Sequence, residues 1–86
     1  MDKSRLIEAT TEAAGEGAAR PLEAADVERV LDALFGTVER PGTIAQALAG
    51  GESVVLGSFG GFDRADGTAA FRPGKALTEY LRGTAR

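Results

Sequence analysis

Leu22, Val27, Val30, Leu31, Leu34 and Val38 recur at i, i+3, i+4 and i+7 spacing along the stretch from about Leu22 to Glu39. They mark an amphipathic helix whose apolar face must be buried. A chain of 86 residues is near the size at which its own core is marginal, because a small body leaves much of its apolar surface wet. The sequence therefore predicts a partner subunit. Phe59, Phe62 and Phe71 add to the apolar surface that a lone chain of this size has no room to hide.

The rest of the chain divides around that helix. A first helix is expected from Ser4, as its cap, to Gly15, with Leu6, Ala9 and Ala13 facing inward and Ile7 and Ala14 beside them. Glu16 to Pro21 has no periodicity and reads as a loop. Arg40-Pro41-Gly42 ends the long helix, since proline lacks a donor and restricts the residue before it. Thr43 then caps a short helix with Ile44, Ala47 and Leu48 inward, closed by Gly50-Gly51. Beyond it the period changes from helical to extended. Strands are expected over Glu52 to Leu56, Phe59 to Arg64 and Thr68 to Phe71, with a turn at Gly57-Ser58 and a hairpin at Asp66-Gly67. Pro73 fits the first turn of a last helix with Leu77, Tyr80 and Leu81 on its apolar face. Helices, a small antiparallel sheet and a final helix make an α+β pattern. It reads as one domain, residues 1–50 helical and dimerising, residues 51–86 sheet and helix.

With no cysteine and no histidine, disulfides, thiolate and imidazole metal sites and the Ser/His and Cys/His nucleophilic arrangements are excluded. The pairs Glu8 with Glu12 and Glu28 with Asp32 read as solvated charge on helix faces rather than acid/base pairs. No catalytic residue, metal ligand or cofactor is expected. No apolar run approaches the roughly 20 residues of a membrane span, and MDKSRLIEATTEA lacks a signal peptide's apolar core, so the expected location is the cytoplasm. Nor do the glycines from Gly57 to Gly74 form a nucleotide loop: the Gly-Lys-Ser/Thr ending is missing, and a strand follows where a P-loop would lead into a helix. The net charge of −3 is uneven. Met1 to Glu52 carries ten acids against five bases, and Ser53 to Arg86 carries three acids against five bases.

Four separated stretches resemble bacterial HU and integration host factor subunits, in the same order. MDKSRLIEA looks like their start, LEAADVERVLDALF (Leu22 to Phe35) is similar to their second helix, GESVVLGSFGGF (Gly51 to Phe62) resembles their strand and glycine-phenylalanine turn, and FRPGKAL (Phe71 to Leu77) resembles the segment leading into their last helix. The resemblance implies an intertwined dimer from which β-ribbon arms reach around bent DNA, each with a proline near its tip that wedges between base steps. This chain departs from that pattern. Only DRADGTAA separates Phe62 from Phe71, and the prolines are Pro21, Pro41 and Pro73. The expected form is an armless variant with a shortened hairpin and insertions around Glu16 to Pro21 and Arg40 to Gln46.

What the resemblance then implies is a nucleoid-associated protein that holds double-stranded DNA weakly through its body, without base readout. By motif, Arg72 and Lys75 fall in the family's body contact region, Gly57, Ser58 and Gly60 lie where backbone amides approach a phosphate, and Lys3 belongs to the matching amino-terminal stretch. Arg64, Arg82 and Arg86 match no motif cleanly and are candidates on charge alone. Each has a plain structural reading too: the glycines permit tight turns, and the cations are solvated. Val27, Val30, Leu31, Leu34, Val38, Phe59, Phe62 and Phe71 are the expected core and dimer contacts, with an identical chain or a related one as partner. A second function stands beside the first, a dimeric interaction or scaffold module that has lost DNA binding and turns its acidic helical half toward a basic protein.

Overall fold

Seven elements follow one another in the computed structural model, which describes residues 1–83: α1 (Lys3–Gly15), α2 (Ala24–Phe35), α3 (Thr43–Ala49), β1 (Val54–Leu56), β2 (Gly60–Ala65), β3 (Thr68–Pro73) and α4 (Lys75–Leu81). The α+β reading holds. The chain falls into two compact units, residues 1–42 and the chain from Thr43 onward.

In the first unit the cap of α1 is Asp2, two residues earlier than the expected Ser4. Its carboxylate accepts from the Arg5 backbone N–H at 2.9 Å, which satisfies one of the orphan donors at the helix start. Asp2→Ala is therefore expected to destabilise the protein by about 1 kcal/mol, read as a lower urea midpoint at unchanged slope. The α1 residue that packs is Ile7, which is buried, while Leu6 stays exposed. α1 lies against α2, and Val27 is the buried residue of the second helix.

α2 begins at Ala24 and stops at Phe35, short of the expected end at Glu39. Gly36 causes the stop: it takes φ 83° while its N–H still donates to Asp32 O at 2.8 Å, a left-handed C-terminal residue that only glycine adopts cheaply. The chain then doubles back, with Gly36 bridged to Pro41 and the Thr37 N–H donating to Arg40 O at 2.9 Å. Gly42 closes the pinch so tightly that a Cβ there would lie 2.4 Å from Leu34 O. Val38, expected on the helix stripe, is thus carried to the tip of this loop and is fully exposed.

In the second unit α3 packs on β1 and β2 with Ile44 and Leu48 buried, as their spacing predicts. The three strands form one antiparallel sheet in the order β1-β2-β3. β1 starts at Val54 rather than Glu52, β2 runs to Ala65, and β3 extends to Pro73. Pro73 thereby ends a strand instead of opening a helix, and Gly74 is the cap of α4. Asp66 and Gly67, at φ 53° and 75°, close the β2-β3 hairpin directly, as a type I′ turn does.

Candidate nucleic-acid interface

Register sorts the side chains of the hairpin onto two faces. Val54 pairs with Phe62, and Phe62 with Phe71, so these three share a face with Leu56, Gly60 and Arg64. Phe71 meets Phe62 at 5.1 Å and Phe59 at 5.6 Å between ring centroids, both tilted, a favourable aromatic geometry. Gly60 forms the floor of this cluster, because a Cβ there would come within 2.5 Å of the Phe71 ring. Val55, Gly61, Asp63 and Arg72 line the other face.

The β1-β2 turn is seated against the start of α4. Gly57 takes φ 52° and the Phe59 N–H returns to Leu56 O at 3.0 Å, closing the turn. Gly74 N–H then donates to Phe59 O at 2.8 Å, and Leu77 N–H to Ser58 O at 3.4 Å. The backbones touch here: a Cβ on Gly74 would stand 2.1 Å from Ser58 O. Two distant motifs, the Gly57 to Gly60 turn and the Gly74-Lys75 step, become one surface.

The candidate cations differ in surroundings. Arg72 is 78% exposed and ion-pairs with Asp63. Lys75, 83% exposed, stands 3.9 Å from Glu79 one turn along α4. Arg64 leaves the opposite face of the sheet from Arg72 and donates to Ala49 O at 3.3 Å, so the two do not share a face. Arg82 is the C-terminal cap of α4. Lys3 belongs to the first unit, where it pairs with Asp32 at 2.6 Å, and that hydrogen bond raises its pKa above the ordinary lysine value. Arg86 lies outside the described residues.

Two partners of these cations, Asp32 and Asp63, escape a reading by motif, as does Ser53, which holds Asp63. The Ser53 hydroxyl donates to Asp63 Oδ1 at 2.5 Å, and this bond together with Arg72 holds the Asp63 carboxyl below its usual range. Counting back from Asp66-Gly67 would have found one pair, since that turn sets Asp63 diagonal to Arg72. Among the described residues, no group of carboxylates is placed to hold a metal ion and no helix is long and apolar enough to cross a membrane.

Solved structures resemble this chain along nearly its whole length. A point mutant of HU from Thermotoga maritima superposes with a TM-score of 0.76 at 33% identity, covering 94% of this chain and 99% of the other. HU from Thermotoga maritima gives 0.73 at 34% identity, covering 94% and 98%. No protein-family model matches the chain, and no curated protein matches it.

Proposed function

Because the chain belongs to the HU family, we propose that it is a non-enzymatic, nucleoid-associated protein of the cytoplasm that binds double-stranded DNA as a dimer, through its body and without arms. The observation that carries this reading is the surface just described: Arg72 and Lys75, both projecting into solvent, stand beside the seam where the Gly57 to Gly60 turn meets Gly74. Two six-residue strands closed at Asp66-Gly67 support the armless form, and no proline lies between Phe62 and Phe71 to wedge between bases. The 86 residues act as one HU-like domain.

Dimerisation follows from what a single copy leaves wet. Val30 is 59% exposed and Phe59 51%, and Thr10, Ala14, Leu22, Val27, Val30 and Leu31 line an open apolar hollow in the first unit. A second copy, or a related chain, covers them. With three or four phosphates neutralised per dimer, the log-log salt slope of duplex binding is expected at about −3. The test is a titration of labelled duplex across a salt series, with the Arg72→Ala, Lys75→Ala double variant alongside. Loss of affinity and a shallower slope in the variant support the body contact; no binding by the unmodified chain at high micromolar dimer in low salt would overturn it.

The second reading, an interaction or scaffold module, is favoured by charge. Residues 1–42 carry nine acids against five bases, and Lys3, Arg5 and Arg29 are each paired with a carboxylate there. Such a unit repels a polyanion and suits a basic protein. A partner that stays bound through nuclease treatment would favour this reading.

A further inference from the structure

Arg72 and Asp63 share a face of the hairpin without standing opposite each other. Arg72 is across from Gly61 and Asp63 is across from Ala70, so their ion pair runs along the diagonal of the register. Gly61 has no side chain to interrupt that path. The carboxylate is divided between two holders: Ser53 donates to Oδ1, and Arg72 meets Oδ2. The two members of the pair also differ in exposure. Asp63 is only 23% exposed, whereas Arg72 is 78% exposed. The anion is recessed and anchored from β1's approach, while the cation stands out at the surface.

Resting on the body-contact reading above, we propose that Asp63 sets the affinity of this face for polyanions by acting as an internal competitor for Arg72. A phosphate that takes the guanidinium must draw it from a carboxylate that Ser53 keeps in place. Ser53 is the positioning residue, since its hydroxyl fixes the carboxylate that faces the arginine. The lowered pKa of Asp63 is consistent with a carboxylate kept charged in that position. The competition is local, because the pair is formed by two strands of one sheet within one unit.

The experiment is a set of anisotropy titrations of labelled duplex at low salt with five proteins: the unmodified chain, Asp63→Asn, Asp66→Asn, Arg72→Ala, and Asp63→Asn combined with Arg72→Ala, the last compared with Arg72→Ala alone. Asparagine at 63 keeps an oxygen for the Ser53 bond and removes the charge. Asp66→Asn removes the same charge at the hairpin turn, where asparagine suits the φ of 53°. Asp63→Asn is expected to bind roughly three- to tenfold more tightly, from the modest worth of an exposed pair counted over two protomers. Asp66→Asn is expected to gain less than about twofold through screened long-range charge, and the gain at 63 should vanish without Arg72. Equal gains from the two asparagine variants would overturn the proposal, as would a gain that survives Arg72→Ala. If the unmodified chain binds as tightly as Asp63→Asn, the role of Asp63 falls and the body contact stands. If none of the five binds, the body contact falls and the competitor with it.

Discussion

Gly74→Ala is expected to destabilise the protein by about 3 kcal/mol, at the upper end of what an inserted methyl group costs in a packed region. The backbone does not forbid alanine, since Gly74 has φ −86°, a value any residue adopts. The cost is steric. A Cβ would lie 2.1 Å from Ser58 O and 2.5 Å from Ser58 C, and both are backbone atoms of a turn already tied to α4 by the Gly74 and Leu77 N–H groups. Relief requires the turn and the helix to part, which breaks those hydrogen bonds. Gly61→Ala is the matched control, because its nearest neighbour would be Val54 O at 3.4 Å, an ordinary contact. Urea denaturation should show a large fall in midpoint for Gly74→Ala and a shift within about 1 kcal/mol for Gly61→Ala. Equal midpoints would show that the turn and α4 are not in contact.

The second large effect is in the dependence of melting on concentration. Val30, Phe35, Phe59, Tyr80 and Leu81 are each more than half exposed, and no large side chain among the described residues is fully buried. Covering the open half of one phenylalanine is worth on the order of 2 kcal/mol, so several of them supply much of the stability of a small domain. For a dimer that folds as it associates, hundredfold dilution removes about 2.7 kcal/mol and is expected to lower Tm by roughly 5–10 °C. Phe71→Ala should lower Tm at every concentration, because that ring touches both Phe59 and Phe62. A Tm independent of concentration, with a monomer mass in sedimentation at micromolar protein, would overturn the dimer.

Much of the fold was legible in residue order. The α3 pattern of Ile44, Ala47 and Leu48, the Asp66-Gly67 hairpin and the change of period after Gly51 all stand where they were expected, because each is a local preference of a few neighbouring residues. The errors lie at ends. Val38 has the right spacing for the α2 stripe, but a stripe only counts apolar positions and does not register that Gly36 and Gly42 let two stretches of backbone close on each other. Ser4 and Asp2 are both good caps, and nothing in the order of residues chooses between them. Pro73 suits either a helix start or the last position of an edge strand, and β3 took the second use.

The candidate site divides in the same way. Sequence by itself determined the HU-like order of elements, the cations Arg72 and Lys75 on the motif that matches the family, and the short connection from Phe62 to Phe71, all of which depend on residue identity and short-range spacing. Tertiary structure decided which charges those cations answer. It set Asp63 diagonal to Arg72, brought Ser53 up to the same carboxylate from the approach to β1, sent Arg64 to the other face, and closed the turn at Ser58 onto Gly74. The physical reason is distance along the chain: an ion pair or a backbone contact between residues nine or more apart exists only after register and strand pairing have been chosen, and many such pairings are compatible with one alternating pattern.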